Sequence, residues 1–138
     1  MAGFDNPQRL LKFEATMIGS DGLPHDKHPH RRLWGTFPRV LGHYARNLGF
    51  SLEEAVHRMT EPSARRFNLK ERGEIAVGNV ADLGVFDSRS IIDRATFADP
   101  TQLSEGIDLV IGDGTLAYRE RRLTGNRAGR FLRRWSRA

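Results

Sequence analysis

The stretch Ala15-Thr16-Met17-Ile18-Gly19-Ser20-Asp21-Gly22 decides how the rest of the chain is read. Its first five residues form an apolar, strand-length run with a β-branched pair, and Ser20-Asp21-Gly22 ends the run with turn chemistry. The reading is a strand over 15–19 that carries a carboxylate at its C-terminal end. In an α/β barrel that position faces the active-site mouth, where Asp21 can bind a metal or pass a proton from water to a leaving amine. Taken alone, Asp-Gly reads more simply as a turn in which the Asp side chain caps a backbone N–H.

Upstream, residues 6–14 carry a weak helical pattern with Leu10, Leu11 and Phe13. Downstream, a Pro/His/Gly-rich loop runs from Leu23 to Gly35, and at Thr36 the hydrophobic period changes. Phe37, Val40, Leu41, Tyr44 and Leu48 then fall on one face of a helix that Gly49 stops. Ser51-Leu52-Glu53-Glu54 is a capping box opening a second helix whose buried stripe is Leu52, Ala55, Val56 and Met59. Pro62 suits the first turn of a short third helix holding Ala64 and Phe67. After Gly73 the texture is β. Ile75, Val77 and Val80 come first, then a strand over 81–87, then a hairpin of Ile107–Ile111 and Thr115–Tyr118 around Gly112-Asp113-Gly114. The composition shifts at Leu69–Gly73, which divides the chain into segments 1–69 and 70–125, with a basic tail at 126–138. One strand and its helices cannot cover both of their own faces, so the first segment reads as part of a larger layered unit.

The chain has 138 residues, 38% hydrophobic and 28% charged, a globular composition. It has no cysteine, which excludes disulfides, thiolate zinc sites and a cysteine nucleophile, and fits a reducing compartment. No apolar run reaches membrane-spanning length and the first residues lack a signal-peptide pattern, so the expectation is a soluble, cytoplasmic protein. The formal charge is +5, but Arg119–Ala138 holds eight arginines against Glu120 and carries +7, leaving −2 on the first 118 residues. The basicity belongs to the tail, which reads as a solvated or docked end before it reads as a phosphate-binding surface. His25, Asp26, His28 and His30 resemble a metal cluster in composition, yet their spacing matches no zinc-finger or metalloprotease pattern, and a self-contained metal site is not expected. His43 and His57 fall on helices. Arg31-Arg32 offers guanidinium forks for a carboxylate, or is an exposed basic loop. Nucleotide-binding and serine-hydrolase motifs are absent.

Read together, Met17-Ile18-Gly19-Ser20-Asp21-Gly22-Leu23-Pro24, His28-Pro29-His30 and Arg32-Leu33-Trp34-Gly35-Thr36-Phe37-Pro38-Arg39-Val40-Leu41-Gly42 resemble the last barrel strand and its loop in the N-acyl-D-amino-acid deacylases (D-aminoacylases) of the amidohydrolase superfamily. Leu52–Val56, Arg72–Ile75, Ala81-Asp82-Leu83 with Val85-Phe86-Asp87, and Ala95-Thr96-Phe97 to Pro100 are similar to the same family in the same order. The resemblance implies the last strand-helix unit of a (β/α) barrel, an α/β fold, followed by the C-terminal part of a small β-sandwich. It implies a zinc-dependent hydrolase acting on the amide of N-acyl-D-amino acids. Asp21 then matches the catalytic aspartate that contacts the metal and shuttles the proton, and Arg32 the arginine that holds the substrate's α-carboxylate. The family's other metal ligands lie upstream of the matched region, and a full barrel takes about 250 residues. The pattern departs at Arg31, where a proline is usual, and at Gly84, where a branched apolar residue is usual. The expectation is a C-terminal portion, inactive alone. The alternatives are an assembly module that completes a partner chain carrying the metal ligands, and a small basic nucleic-acid-binding protein using the arginine tail with Phe131 and Trp135; separately, a barrel strand without its neighbours exposes apolar faces and free edges, which predisposes to self-association.

Overall fold

The computed structural model describes residues 10–49 and 51–132. The longest helical stretch runs without a break through α1 (Arg32–Arg39), a π turn (Val40–Tyr44) and α2 (Ala45–Asn47). It begins four residues before Thr36, so Arg32 is the first helical residue and not part of the loop. No side chain caps this start; the loop backbone itself winds in, with Leu33 N–H donating to His30 O at 2.9 Å and Gly35 N–H to Arg31 O at 3.0 Å. Pro38 lies inside α1 and has no N–H to offer the carbonyl of Trp34 one turn back. That carbonyl instead accepts the Ser104 hydroxyl at 3.3 Å, from a residue 70 positions later. The π turn follows, its end marked by Ala45 N–H reaching back five residues to Val40 O.

Gly49, with φ of 73°, ends the stretch as its sequence suggests. In α3 (Leu52–Met59) the Ser51 hydroxyl accepts the Glu54 N–H at 3.0 Å, an N-cap in an extended residue. The Glu54 carboxylate accepts from Arg58 at 2.6 Å. Next, α4 (Glu61–Arg66) holds Pro62 in its first turn and buries Ala64, while Phe67 follows the last helical residue and is about half exposed. Upstream, residues 10–12 are helical; the rest of the pattern at 6–9 lies outside the described residues.

The second half forms an antiparallel meander, β1 (Leu83–Phe86), β2 (Ile107–Gly112), β3 (Thr115–Arg119) and β4 (Arg122–Leu123), in sequence order. Asp113 and Gly114 join β2 to β3 with φ of 47° and 76°, the left-handed pair that a two-residue hairpin requires. Both faces of the sheet carry apolar side chains: Leu83, Ile111 and Leu116 pair across one, Val110, Tyr118 and Leu123 across the other. Arg130 of the tail pairs with Asp113 at the hairpin turn, while Trp135 and the arginines at 133, 134 and 137 lie outside the described residues.

Two expected strands are not formed. Segment 15–19 has no strand partner among the described residues; Ile18 N–H makes one bond, to Arg58 O in α3 at 3.0 Å. A strand needs a neighbour's backbone along its length, and the end of α3 gives this segment one carbonyl, that of Arg58. Ile75 and Val77 also lie outside any strand, with side chains fully exposed.

The core sits where the helices meet the second half. Ile91, 1% exposed, packs with Val40, Leu41 and Ala55, and Ile18, Phe86 and Ile107 lie against them. Gly42 makes this possible: a Cβ there would stand 2.1 Å from Ile91 O and 3.0 Å from Ile92 Cα. Arg46 Nη2 donates to Ser88 O and Ile91 O, both at 2.9 Å, and Arg39 Nη1 meets the nearly buried Asp93 carboxylate at 2.6 Å. Burial disfavours the Arg39 charge, but hydrogen bonding and attraction to Asp93, and then to Tyr44, together outweigh that and raise its pKa. Gly42→Ala should therefore cost at least about 2 kcal/mol of stability in urea unfolding, because only backbone can move aside. Gly84→Ala, whose Cβ would meet nothing within 4 Å, should change stability by less than about 0.5 kcal/mol.

Candidate active site

Asp21 and Arg32 are brought together by the residue between Asp21 and the loop. Gly22 has φ of 145°, and a Cβ on it would stand 2.9 Å from the Cβ of Leu33. This close approach lays the Asp21 turn against the first turn of α1. Arg32 Nη1 then lies 3.6 Å from Asp21 Oδ2, with side chains 51% and 68% exposed respectively. His30 completes the local frame: its Nδ1 accepts the Arg32 backbone N–H at 3.1 Å, and Pro29 beside it is buried. The two residues singled out from sequence, 11 positions apart in the chain, thus face one another on an exposed rim.

The other candidates do not join them as a donor set. His25, Asp26 and His28 are exposed in the turn before Pro29. His43 stacks edge-on against Tyr44 at 5.3 Å and lies 3.2 Å from the Asn47 amide, and His57 sits 3.8 Å from Glu61 on neighbouring helices. No group of three or more His, Cys, Asp or Glu side chains is placed to hold a metal among the described residues. A catalytic zinc ion takes three protein donors. Asp21, with a guanidinium as its nearest charged neighbour, does not make such a centre by itself.

What the pair can do follows from its exposure. An ion pair at this distance in water contributes at most about 1 kcal/mol, so either partner exchanges readily for a stronger one. Arg32 opens a helix whose first turn holds no acid, so its guanidinium and the positive end of the helix dipole both favour an incoming anion. Asp21 is a carboxylate that can take or give a proton. Sequence reading missed the residues that hold this rim in place: Asp93 on Arg39, Ser104 on Trp34 O, and Phe97, whose ring lies 4.4 Å below the Arg31 guanidinium. Pro38 was the available signal for Ser104, since a proline inside a helix frees a carbonyl; Phe97 carries no local signal.

The chain was compared with known proteins. The pattern of the amidohydrolase family matches residues 8–118. A D-aminoacylase of Alcaligenes xylosoxydans xylosoxydans is 56% identical over 128 residues, covering 92% of this chain and 26% of the relative. The chain thus spans about a quarter of the length of the curated relatives it matches. A mutant D-aminoacylase in complex with copper chloride superposes with a TM-score of 0.88 at 53% identity, over 93% of this chain and 28% of that one. An N-acyl-D-glutamate deacylase from Bordetella bronchiseptica, complexed with zinc and a phosphonate mimic of the tetrahedral intermediate, superposes with a TM-score of 0.81 at 45% identity, over 84% and 25%. No helix of the described residues is long and apolar enough to cross a membrane.

Because Asp21 and Arg32 are mostly exposed, Asp21→Asn should shift the unfolding free energy by less than about 1 kcal/mol. A larger loss in urea unfolding would give Asp21 a structural role instead. The match along residues 8–118 identifies the chain: it belongs to the amidohydrolase family, in the company of the N-acyl-D-amino-acid deacylases.

Proposed function

We propose that this chain is the C-terminal portion of a metal-dependent hydrolase that cleaves the amide of N-acyl-D-amino acids. The observation that carries the reading is the Asp21 carboxylate facing the Arg32 guanidinium at 3.6 Å, where both are open to a ligand. Residues 1–69 are then the C-terminal edge of the barrel, residues 70–125 a share of the β-sandwich, and 126–138 a basic tail. Segment 15–19, without a strand partner among the described residues, and the apolar side chains on both faces of the sheet support that division, since each calls for cover that the described residues do not complete.

In this reading Arg32 exchanges Asp21 for the substrate's α-carboxylate, which a guanidinium grips with two parallel hydrogen bonds. Asp21, so released, accepts a proton from the attacking water. The water oxygen bonds to the acyl carbon, the C–N bond breaks, and Asp21 returns the proton to the departing nitrogen. The products are the free D-amino acid and a carboxylate. The zinc of the complete enzyme is held chiefly by donors outside this chain, with Asp21 its candidate ligand here. The isolated chain accordingly does not turn over substrate.

A second reading shares this ancestry and makes the chain a module that completes a separate polypeptide. Ile75 and Val77 favour cover of some kind, because both expose their whole side chains.

A chimera tests the first reading: the matching quarter of the Alcaligenes D-aminoacylase is replaced by this chain. The chimera should hydrolyse an N-acetyl-D-amino acid with zinc. Asp21→Ala should lower kcat by about 10²–10⁴, the usual contribution of a proton-transfer group. Arg32→Ala should raise KM by about 10- to 100-fold through the lost charge-assisted pair. An Asp21→Ala chimera as active as its parent would reject the assignment, and zinc-dependent acetate release by the isolated chain would reject its incompleteness.

A further inference from the structure

Phe97 lies 66 positions after Arg31 in sequence and directly beneath it in space. The Arg31 guanidinium carbon sits 4.4 Å from the centre of the Phe97 ring, within the range in which a cation is drawn to a π face. The His30 ring meets the same Phe97 ring edge-on, with centroids 6.1 Å apart and planes at 83°. These two residues immediately precede Arg32, and His30 also accepts the Arg32 N–H. One aromatic ring therefore touches both residues leading into the candidate carboxylate-binding side chain.

The ring is itself fixed. Thr96 N–H donates to Asp99 O, and Asp99 N–H to the Thr96 hydroxyl, each at 2.9 Å. Ala95 and Pro100, on either side of the turn, are buried. The segment before it is tied to the helices through Asp93 and Arg39 and to β2's approach through the Ile92–Glu105 bridge. Phe97 is thus held by the core and projects from it, 76% exposed, toward the loop. An exposed phenylalanine at the tip of a pinned turn gains little from burial, so its contacts with Arg31 and His30 are what the geometry offers as its role.

We propose that Phe97 is a positioning residue for this site: its ring holds Arg31 and His30, and through them sets the Arg32 guanidinium opposite Asp21. The proposal rests on the function argued above only for what Arg32 binds; the positioning contact stands on its own geometry.

The test uses the full 138-residue chain, followed by NMR, with Phe97→Leu, Phe97→Tyr, Arg31→Gln and Arg32→Ala variants. In the parent, the Arg31 side-chain protons should show the upfield displacement of a group above a ring. Phe97→Leu should abolish that displacement and move the Arg32 amide resonance, with an unchanged thermal melt. Phe97→Tyr, which keeps the π face, should restore both, and Arg31→Gln should move the Arg32 amide as Phe97→Leu does. In titrations with an N-acetyl-D-amino acid, Phe97→Leu should weaken Kd about threefold to fivefold, the scale of an exposed cation–π contact, with rescue by Tyr. Leu and Tyr variants that behave alike, or an Arg32 amide indifferent to Phe97, would overturn the proposal. Arg32→Ala binding as tightly as the parent, or a parent that binds no ligand, would instead overturn the role given to Arg32, and the NMR comparison would still decide for or against Phe97.

Discussion

Ile91 is gripped by backbone that leaves no room for a side chain. A Cβ on Gly42 would stand 2.1 Å from its carbonyl oxygen, and one on Gly106 would stand 2.4 Å from its nitrogen. Its side chain fills the space between Val40, Leu41 and Ala55, and its carbonyl takes an Arg46 N–H. Contacts this close have no slack, because protein interiors pack like crystals and a missing or added methyl is felt at once. The helical stretch Arg32–Asn47 and the segment leading into the sheet therefore have one relative position. Everything at the rim inherits it. Asp93, two residues after Ile91, anchors Arg39; Ser104 takes the carbonyl that Pro38 leaves free; Phe97 reaches Arg31. The start of α1, where Arg32 faces Asp21, is set by a core that lies behind it.

The pair at the rim contributes little to its own placement. An exposed guanidinium and carboxylate 3.6 Å apart are weakly bound in water, and Gly22 rather than the ion pair brings the turn against α1. That division suits a binding site. Groups that must exchange partners during turnover are held by neighbours that do not change, which keeps the approach geometry while leaving the charges free. The energetic burden falls on Ile91, Gly42 and the Arg39–Asp93 pair.

Local chemistry was legible wherever a single short-range rule decides it. Ser51 caps α3, Pro62 opens α4, Gly49 ends the long helix, and Asp113-Gly114 turns the hairpin, each through backbone demands satisfied within four residues. Asp21 and Arg32 were singled out through resemblance, not through spacing. What failed was non-local. Segment 15–19 has the composition of a strand but no partner within the described residues, and strand character is realised only by pairing. Ile75 and Val77 were read as strand for the same reason and stand exposed. The early start of α1 has no capping side chain to announce it. Gly42, Asp93 and Phe97 act on residues dozens of positions away, where no window of sequence connects cause with effect.

In the proposed reading, Asp21 and Arg32 are one part of a larger site. The chain spans about a quarter of its curated relatives, and its described residues place no metal donor set beside Asp21. The most direct measurement is a crystal structure of the chimera with this chain in place, bound to a phosphonate mimic of the tetrahedral intermediate. The account predicts the mimic's α-carboxylate on both Arg32 guanidinium nitrogens, with the Asp21 carboxylate turned from Arg32 toward the atom that replaces the departing nitrogen. A mimic bound with Arg32 still paired to Asp21, its carboxylate held elsewhere, would contradict it.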